Sequence, residues 1–288
     1  MRSKLFVPGA RPELFAKALA SEADALSFDL EDSVAESRKD EARANVAAFI
    51  QSVAAQATSK LVVVRVNALH TPHIEADLAA VARARVDLIN LPKVESVQEV
   101  LKAVELLERA EAANGIQQPI SLLANIESPR GLRMAAEIAS SHPRIAGLQL
   151  GLVDLFEPHG IDRRDPANVH AAQYALRMAA AEAGIFAWDA AFADIDDTEG
   201  FRAEAAMARR LGFVGKSCIH PRQLALANTA FMPDADEVES ARRIVAAAAD
   251  ATAAGRGAFV VDGRMVDLPF LKRAQAILAS VDSHASEL

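Results

Sequence analysis

Short apolar runs alternate along the chain with longer, alanine-rich segments that carry most of the charge. The runs are Lys4–Val7, Ala25–Leu30, Leu61–Val66, Asp87–Leu91, Ile120–Ile126, Ile145–Val153, Phe186–Phe192 and Phe213–Ile219. Most are too short for helices. Several are rich in β-branched residues, as strands buried on both faces should be. Helical periodicity is clearest between them at Arg38–Ala55, Ser96–Asn114, Asn168–Ala183 and Asp197–Leu211. Strand followed by helix, repeated, predicts a parallel sheet. Eight such units in about 230 residues predict a (β/α)8 TIM barrel in the α/β class. A doubly wound open sheet is the competitor, but it needs a crevice motif that the sequence does not contain.

The pattern changes near residue 233. A helix is expected over Glu237–Ala254, then Gly255-Arg256-Gly257, then two apolar runs flanking Asp262-Gly263, then a short helix from Pro269. Asp-Gly between apolar runs signals a hairpin, because both central residues of a type I′ turn need positive φ. Residues 1–232 are therefore expected to form the catalytic barrel. Residues 233–288 are expected to form a helix–hairpin–helix lid or arm, packing on a neighbouring subunit.

Composition narrows the field. Half of the 288 residues are apolar and 24% are charged, the usual range of a globular domain. The net charge of −8 gives nucleic acid or an anionic membrane surface nothing to attract, so neither partner is expected. No stretch approaches the ~18 uninterrupted apolar residues of a membrane span, nor does the basic start MRSKLFVPG lead into a signal-peptide core. A single cysteine, Cys218, excludes an internal disulfide framework and a cysteine-only zinc site, and a cytoplasmic setting is expected.

In a barrel of this kind the reactive groups sit at the C-terminal strand ends. Those ends carry Asp29, Glu31 and Asp32; Arg65 and Asn67; Lys93 and Glu95; Glu127; Asp154; Asp189; and Lys216, Cys218 and His220. Many carboxylates with few histidines point to a hard cation such as Mg²⁺, which takes about six oxygens. Glu127 and Asp154, on adjacent strands, could supply two. A 2-oxo acid could chelate through its carboxylate and keto oxygen, and the metal would polarise that keto oxygen. Arg65 could hold a carboxylate or an enolate oxygen. Against this, acids at strand ends also cap helices, and Ser128-Pro129 is itself a good helix start.

The segments RSKLFVPG (Arg2–Gly9), DALSFDLEDSV (Asp24–Val34), RVN (Arg65–Asn67), LPKVES (Leu91–Ser96), IES (Ile126–Ser128), GKSCIHP (Gly215–Pro221) and GRMVDLP (Gly263–Pro269) resemble the HpcH/HpaI aldolase/citrate lyase family, in its citrate lyase β-subunit-like branch. They run through almost the whole chain in the family's order. The resemblance implies a Mg²⁺-dependent carbon–carbon lyase. It would cleave or form a 3-hydroxyacyl-CoA such as citryl-, malyl- or citramalyl-CoA, with acetyl-CoA and a 2-oxo acid such as oxaloacetate on the other side. It implies Glu127 and Asp154 as metal ligands, and Arg65 in contact with the 2-oxo acid and the thioester enolate. Glu31 and Lys93 stand with Arg65 and Glu127 as substrate-binding residues. Asp267 would be the acid/base, delivered from a neighbouring subunit of a homotrimer or hexamer. Its alternative is an N-cap for the helix beginning at Leu268-Pro269.

Two other readings stay open. One is a CoA-independent aldolase that releases pyruvate. The other is a citrate lyase-like subunit, working with an acyl carrier protein, or a 2-oxo acid binding protein without activity of its own. Around Asp154 the chain reads LGLVDLFEPHG, where the family more often has small and acidic residues, and this puts substrate choice in question. Gly215-Lys216-Ser217 is no P-loop, because position 210 is Arg. Lys216 reads as an internal pairing partner. His70 and His73 read as solvated loop residues, Cys218 and His220 as packing at strand 8 and its exit, and no GxGxxG follows any strand.

Overall fold

The computed structural model describes residues 1–253 and 255–285. Its strands are β1 (Ser3–Pro8), β2 (Ala25–Asp29), β3 (Leu61–Arg65), β4 (Leu88–Leu91), β5 (Ser121–Ile126), β6 (Ile145–Leu150), β7 (Phe186–Trp188) and β8 (Lys216–Cys218). From β1 to β6 each pairs in parallel with the next, and β1 also pairs with β8. The seam between β7 and β8 is the thinnest part of the sheet. It is closed by a parallel bridge at Asp189 and Lys216, where Asp189 N donates to Gly215 O and Ser217 N to Asp189 O. The result is a (β/α)8 barrel with helices between successive strands.

Side-chain alternation sorts the strand residues. Leu26, Phe28, Val62 and Val64 join the large apolar cluster beneath the helices. The residues between them face the barrel interior. That interior is polar for a barrel: Lys4, Ser27, Asn90, Asn125 and Gln149 are all buried there, with Trp188. Register places Asp29 opposite Arg65, Arg65 opposite Asn90, and Asn125 opposite Gln149. The chemistry-bearing residues therefore stack at one end.

A second compact unit begins at Met232, after a first that spans Met1–Phe231. It contains a helix at Ala235–Ala253, strands β9 (Phe259–Val261) and β10 (Arg264–Val266), and a helix at Leu268–Ala285. Asp262 and Gly263 have φ of 50° and 76°, the two positive values that a type I′ turn requires. Among the described residues no helix is long and apolar enough to cross a membrane.

Several expected boundaries move. The run Ile145–Val153 ends as strand at Leu150, because Gly151 turns the chain into a short helix, Leu152–Phe156, and so places Asp154 on a helix. Arg38–Ala55 divides into helices Lys39–Ile50 and Val53–Ala57, where Ser52 caps the second by accepting from Ala55 N. The last helix is not short: it runs 18 residues from Leu268. Ala254, the expected end of the preceding helix, lies outside the described residues.

Candidate active site

At the C-terminal strand ends a cavity of about 460 Å³ opens. Its walls include Phe6, Asp29, Arg65, Asn125, Glu127, Gln149 and Asp154, with an apolar side made by Leu150, Leu152, Val153 and Ile219. Three of the five residues assigned to metal and substrate, Glu127, Asp154 and Arg65, thus face one space. Glu31 and Lys93 line an adjoining pocket of about 340 Å³, and Asp32 borders both.

Glu127 follows β5 and is 5% exposed. It caps no helix. Ser128 does that, accepting from Gly131 N at 3.0 Å, with Pro129 in the first helical turn. The strand-end carboxylate and the helix cap are therefore separate residues, and the capping explanation of Glu127 fails. Asn125 Nδ2 donates to Glu127 Oε1, and Lys93 N donates to Oε2 at 3.1 Å. Lys93 presents that N–H from φ 53°, a left-handed backbone rarely adopted by lysine. Gly151 leaves room for the same carboxylate: a Cβ there would lie 2.4 Å from Glu127 Cγ and 2.6 Å from Oε1. Burial pushes the Glu127 carboxyl up to about 8. The charges of Glu31 and Asp154 add to this, against the pull of Arg65 and Lys93. Such a carboxyl invites a cation.

Arg65 is held tightly. Nε and Nη2 donate to the two oxygens of Asp29 at 2.7 and 2.8 Å, a bidentate pair. Nη1 lies 3.1 Å from Glu31 and 3.3 Å from Asp32. Lys93 Nζ continues the chain to Glu31 at 2.7 Å, Asp32 at 3.0 Å and Asp154 at 4.0 Å. Burial raises the Glu31 carboxyl to about 7, with Asp32 adding to the rise against Arg65 and Lys93. Asp29 goes the other way. Burial would raise it, but Arg65 outweighs burial and holds it at about 2.

Asp29 was not among the residues singled out for function, yet it aims Arg65. Asp29→Asn is expected to lower stability by about 3 kcal/mol, because it leaves a buried guanidinium without its main partner. The sign in pH follows from the depressed carboxyl. Its contribution is complete above the unfolded value near 3.8 and is lost as pH falls through about 2. Thermal melts of wild type and variant should differ most at neutral pH and converge only below about pH 2.

Asn125 and Gln149 were missed as well. The signal was there for Asn125, two residues before Glu127 and so on the same strand face. Asp154 is 44% exposed by side chain, on the first turn of its helix. Asp267 lies in the second unit, between β10 and the last helix. Its Oδ1 is buried without a hydrogen-bond partner, and only its backbone carbonyl serves the helix, accepting from Leu271 N at 3.1 Å. The side chain is therefore not acting as a cap.

Lys216 is an internal partner, wholly buried and bonded to Asp189 and Glu204 at 2.6 Å each. Cys218 is buried and its thiol is pushed up to about 12, which removes it as a nucleophile. His73 and His70 border the adjoining pocket, and His73 Nε2 pairs with Glu36 at 2.8 Å. Among the described residues no three His, Cys, Asp or Glu side chains converge to hold a metal unaided. Glu127 and Asp154 as the only protein ligands would leave most of an octahedral shell to water and ligand oxygens, which suits Mg²⁺.

A closed parallel barrel with acids and a clamped arginine gathered at its C-terminal rim is the arrangement in which barrel enzymes place their chemistry. Residues 2–221 match the HpcH/HpaI aldolase/citrate lyase family, and the chain belongs to it. It is 40% identical to the citrate lyase subunit beta of Escherichia coli K12, over 98% of this chain and 93% of that one. It is 38% identical to an L-malyl-CoA/beta-methylmalyl-CoA lyase of Cereibacter sphaeroides, over 98% and 94%. Among solved structures, protein CitE from Mycobacterium tuberculosis in complex with magnesium, acetoacetate and coenzyme A superposes with a TM-score of 0.75. It shares 34% identity and covers 96% of this chain and 97% of that one.

Proposed function

We propose that this protein is a Mg²⁺-dependent carbon–carbon lyase acting on a 3-hydroxyacyl thioester of coenzyme A, such as malyl-, citramalyl- or citryl-CoA. The observation that carries this reading is the convergence of Glu127, Asp154 and Arg65 on one cavity at the strand ends. Relatives at 38–40% identity include a malyl-CoA lyase and a citrate lyase subunit. The CitE structure holds magnesium together with coenzyme A.

Glu127 and Asp154 would hold the cation, which when bound supplies a Lewis acid for the keto oxygen of the 2-oxo acid. In cleavage the 3-hydroxyl gives its proton to solvent water, the C2–C3 bond breaks, and its electron pair passes to the acetyl carbon. The hydroxyl carbon becomes the keto carbon. Arg65, fixed by Asp29, presents its guanidinium to the carboxylate or to the developing enolate oxygen. Asp267 would return a proton to the acetyl carbon, and would remove one in the condensing direction. Lys93 and Glu31, beside the adjoining pocket, lie where a thioester arm could run.

Asp267 stands in a hairpin unit whose Val260, Met265 and Leu268 are 69%, 66% and 58% exposed. We propose that this face is covered by a second copy in a homotrimer or hexamer, so that Asp267 serves a neighbour's cavity. An acyl carrier protein is the alternative source of the thioester.

Purified protein incubated with Mg²⁺ and each acyl-CoA should release acetyl-CoA from at least one. Release should cease on chelation and return with Mg²⁺. Turnover only when the acyl group is presented on a carrier protein would favour the subunit reading. Pyruvate release from free hydroxy-oxo acids would favour the aldolase.

A further inference from the structure

The Gln149 side chain runs from the sealed barrel interior to the floor of the cavity, and cation binding does not account for it. It sits on β6, opposite Asn125 on β5 and Trp188 on β7, and is only 3% exposed. Its Oε1 accepts from Lys4 Nζ and, at 3.3 Å, from Asn90 Nδ2. Two donors therefore hold the same oxygen. Lys4 Nζ has N–H bonds to give in either charge state, so the sense of the amide follows from its partners' chemistry. Nε2 is left on the far side. It donates to no protein atom, yet it is not sealed in, unlike the buried and unpartnered Oδ1 atoms of Asn90 and Asn125. Since Gln149 lines the cavity, its remaining access is to the cavity.

Lys4 is an unusual occupant of a barrel interior. It is wholly buried, with the Phe6 and Trp188 ring centroids 5.1 and 5.3 Å from Nζ. It does not line the cavity, while Phe6 does. The Phe6 ring has Arg65 Cζ 5.0 Å from its centroid as well, so aromatic packing links the lysine to the clamped arginine. A lysine costs free energy in such a place unless its partners hold it. Among the described residues its one side-chain acceptor is the Gln149 oxygen.

We infer that Gln149 is a substrate-binding residue whose free amide N–H donates to an oxygen of the bound 2-oxo acid, and that buried Lys4 is the positioning residue that turns this amide toward the cavity. The inference rests on the lyase reading above and adds a specificity element to it. A donor at the cavity floor favours ligands with an acceptor oxygen at that depth and disfavours apolar analogues, because the amide would then stay unsatisfied.

Calorimetry with Mg²⁺ alone, and then with oxaloacetate or pyruvate in saturating Mg²⁺, separates the two claims. Gln149→Leu keeps the bulk and removes the donor. It should weaken 2-oxo acid binding roughly tenfold while leaving the Mg²⁺ Kd unchanged. Lys4→Met should weaken it in the same direction but less, about threefold, since the amide can then turn either way. The double variant should bind like Gln149→Leu alone, because Lys4 acts only through Gln149. Should Lys4→Met not fold, Asn90→Leu, which removes the other donor to the same oxygen, takes its place in the cycle. Unchanged 2-oxo acid affinity in Gln149→Leu overturns the binding role. Additive effects in the double variant overturn the positioning role. A wild-type protein that takes up Mg²⁺ but no 2-oxo acid overturns the lyase reading itself, and with it this one.

Discussion

Glu127→Gln should reduce Mg²⁺ affinity by more than a hundredfold and bring acyl-CoA turnover close to background. The substitution preserves the size of the side chain, but it removes one of the two carboxylates assigned to the cation; the other two that line the cavity, Asp29 and Asp32, are paired with Arg65. Loss of an outer-shell partner alone typically costs about 10–100-fold in metal affinity, and loss of a charged ligand should exceed that. The same variant should not be less stable than wild type. Burial raises the Glu127 carboxyl from about 4.5 to about 8, so its ionisation opposes folding. For an acid raised in the folded state, stability falls as pH climbs from the unfolded value to the folded one. Wild type should therefore lose stability relative to Glu127→Gln between about pH 5 and 8. Thermal melts across that range, beside calorimetry with Mg²⁺, check both halves. A variant that binds Mg²⁺ normally would remove Glu127 from the metal site.

Asp267→Asn should lower turnover by about 10²–10⁴-fold, the usual worth of a positioned acid/base, and leave Mg²⁺ and 2-oxo acid binding as they are. The structure removes the main competing explanation, since the Asp267 side chain caps no helix and its Oδ1 is buried without a partner. If Asp267 serves a neighbour's cavity, two inactive variants should rescue each other. Glu127→Gln mixed with Asp267→Asn under conditions that exchange subunits would pair an intact metal site from one chain with an intact Asp267 from the other. Recovered activity in the mixture supports a shared site. Full activity in Asp267→Asn alone refutes the acid/base role.

Strand periodicity was legible because both faces of each strand are buried, so apolar runs such as Leu61–Val66 stand out without alternation. The Asp262-Gly263 turn was legible because its backbone geometry admits few residues. The end of β6 was not. Leu152 and Val153 continue the apolar pattern of Ile145–Leu150, and only Gly151, which yields to the Glu127 side chain, breaks the strand. Glu127 and Arg65 could be placed at strand ends from the pattern, whereas Asp154, expected there too, lies on the short helix after β6. Asp29 could be placed there too, but its bidentate grip on Arg65 depends on the register between β2 and β3, which no local pattern states. Lys4 and Gln149 were hidden for a related reason. A lysine at the start of an apolar run carries no sign of its partner until the barrel closes and brings the β6 amide to it across the interior.

The most direct test is a crystal of the protein grown with Mg²⁺ and oxaloacetate. The account predicts one octahedral ion between Glu127 and Asp154, chelated by the keto and carboxylate oxygens of the ligand, with Arg65 still clamped by Asp29. An ion bound elsewhere, or a cavity that holds oxaloacetate with no metal against those two carboxylates, would contradict it.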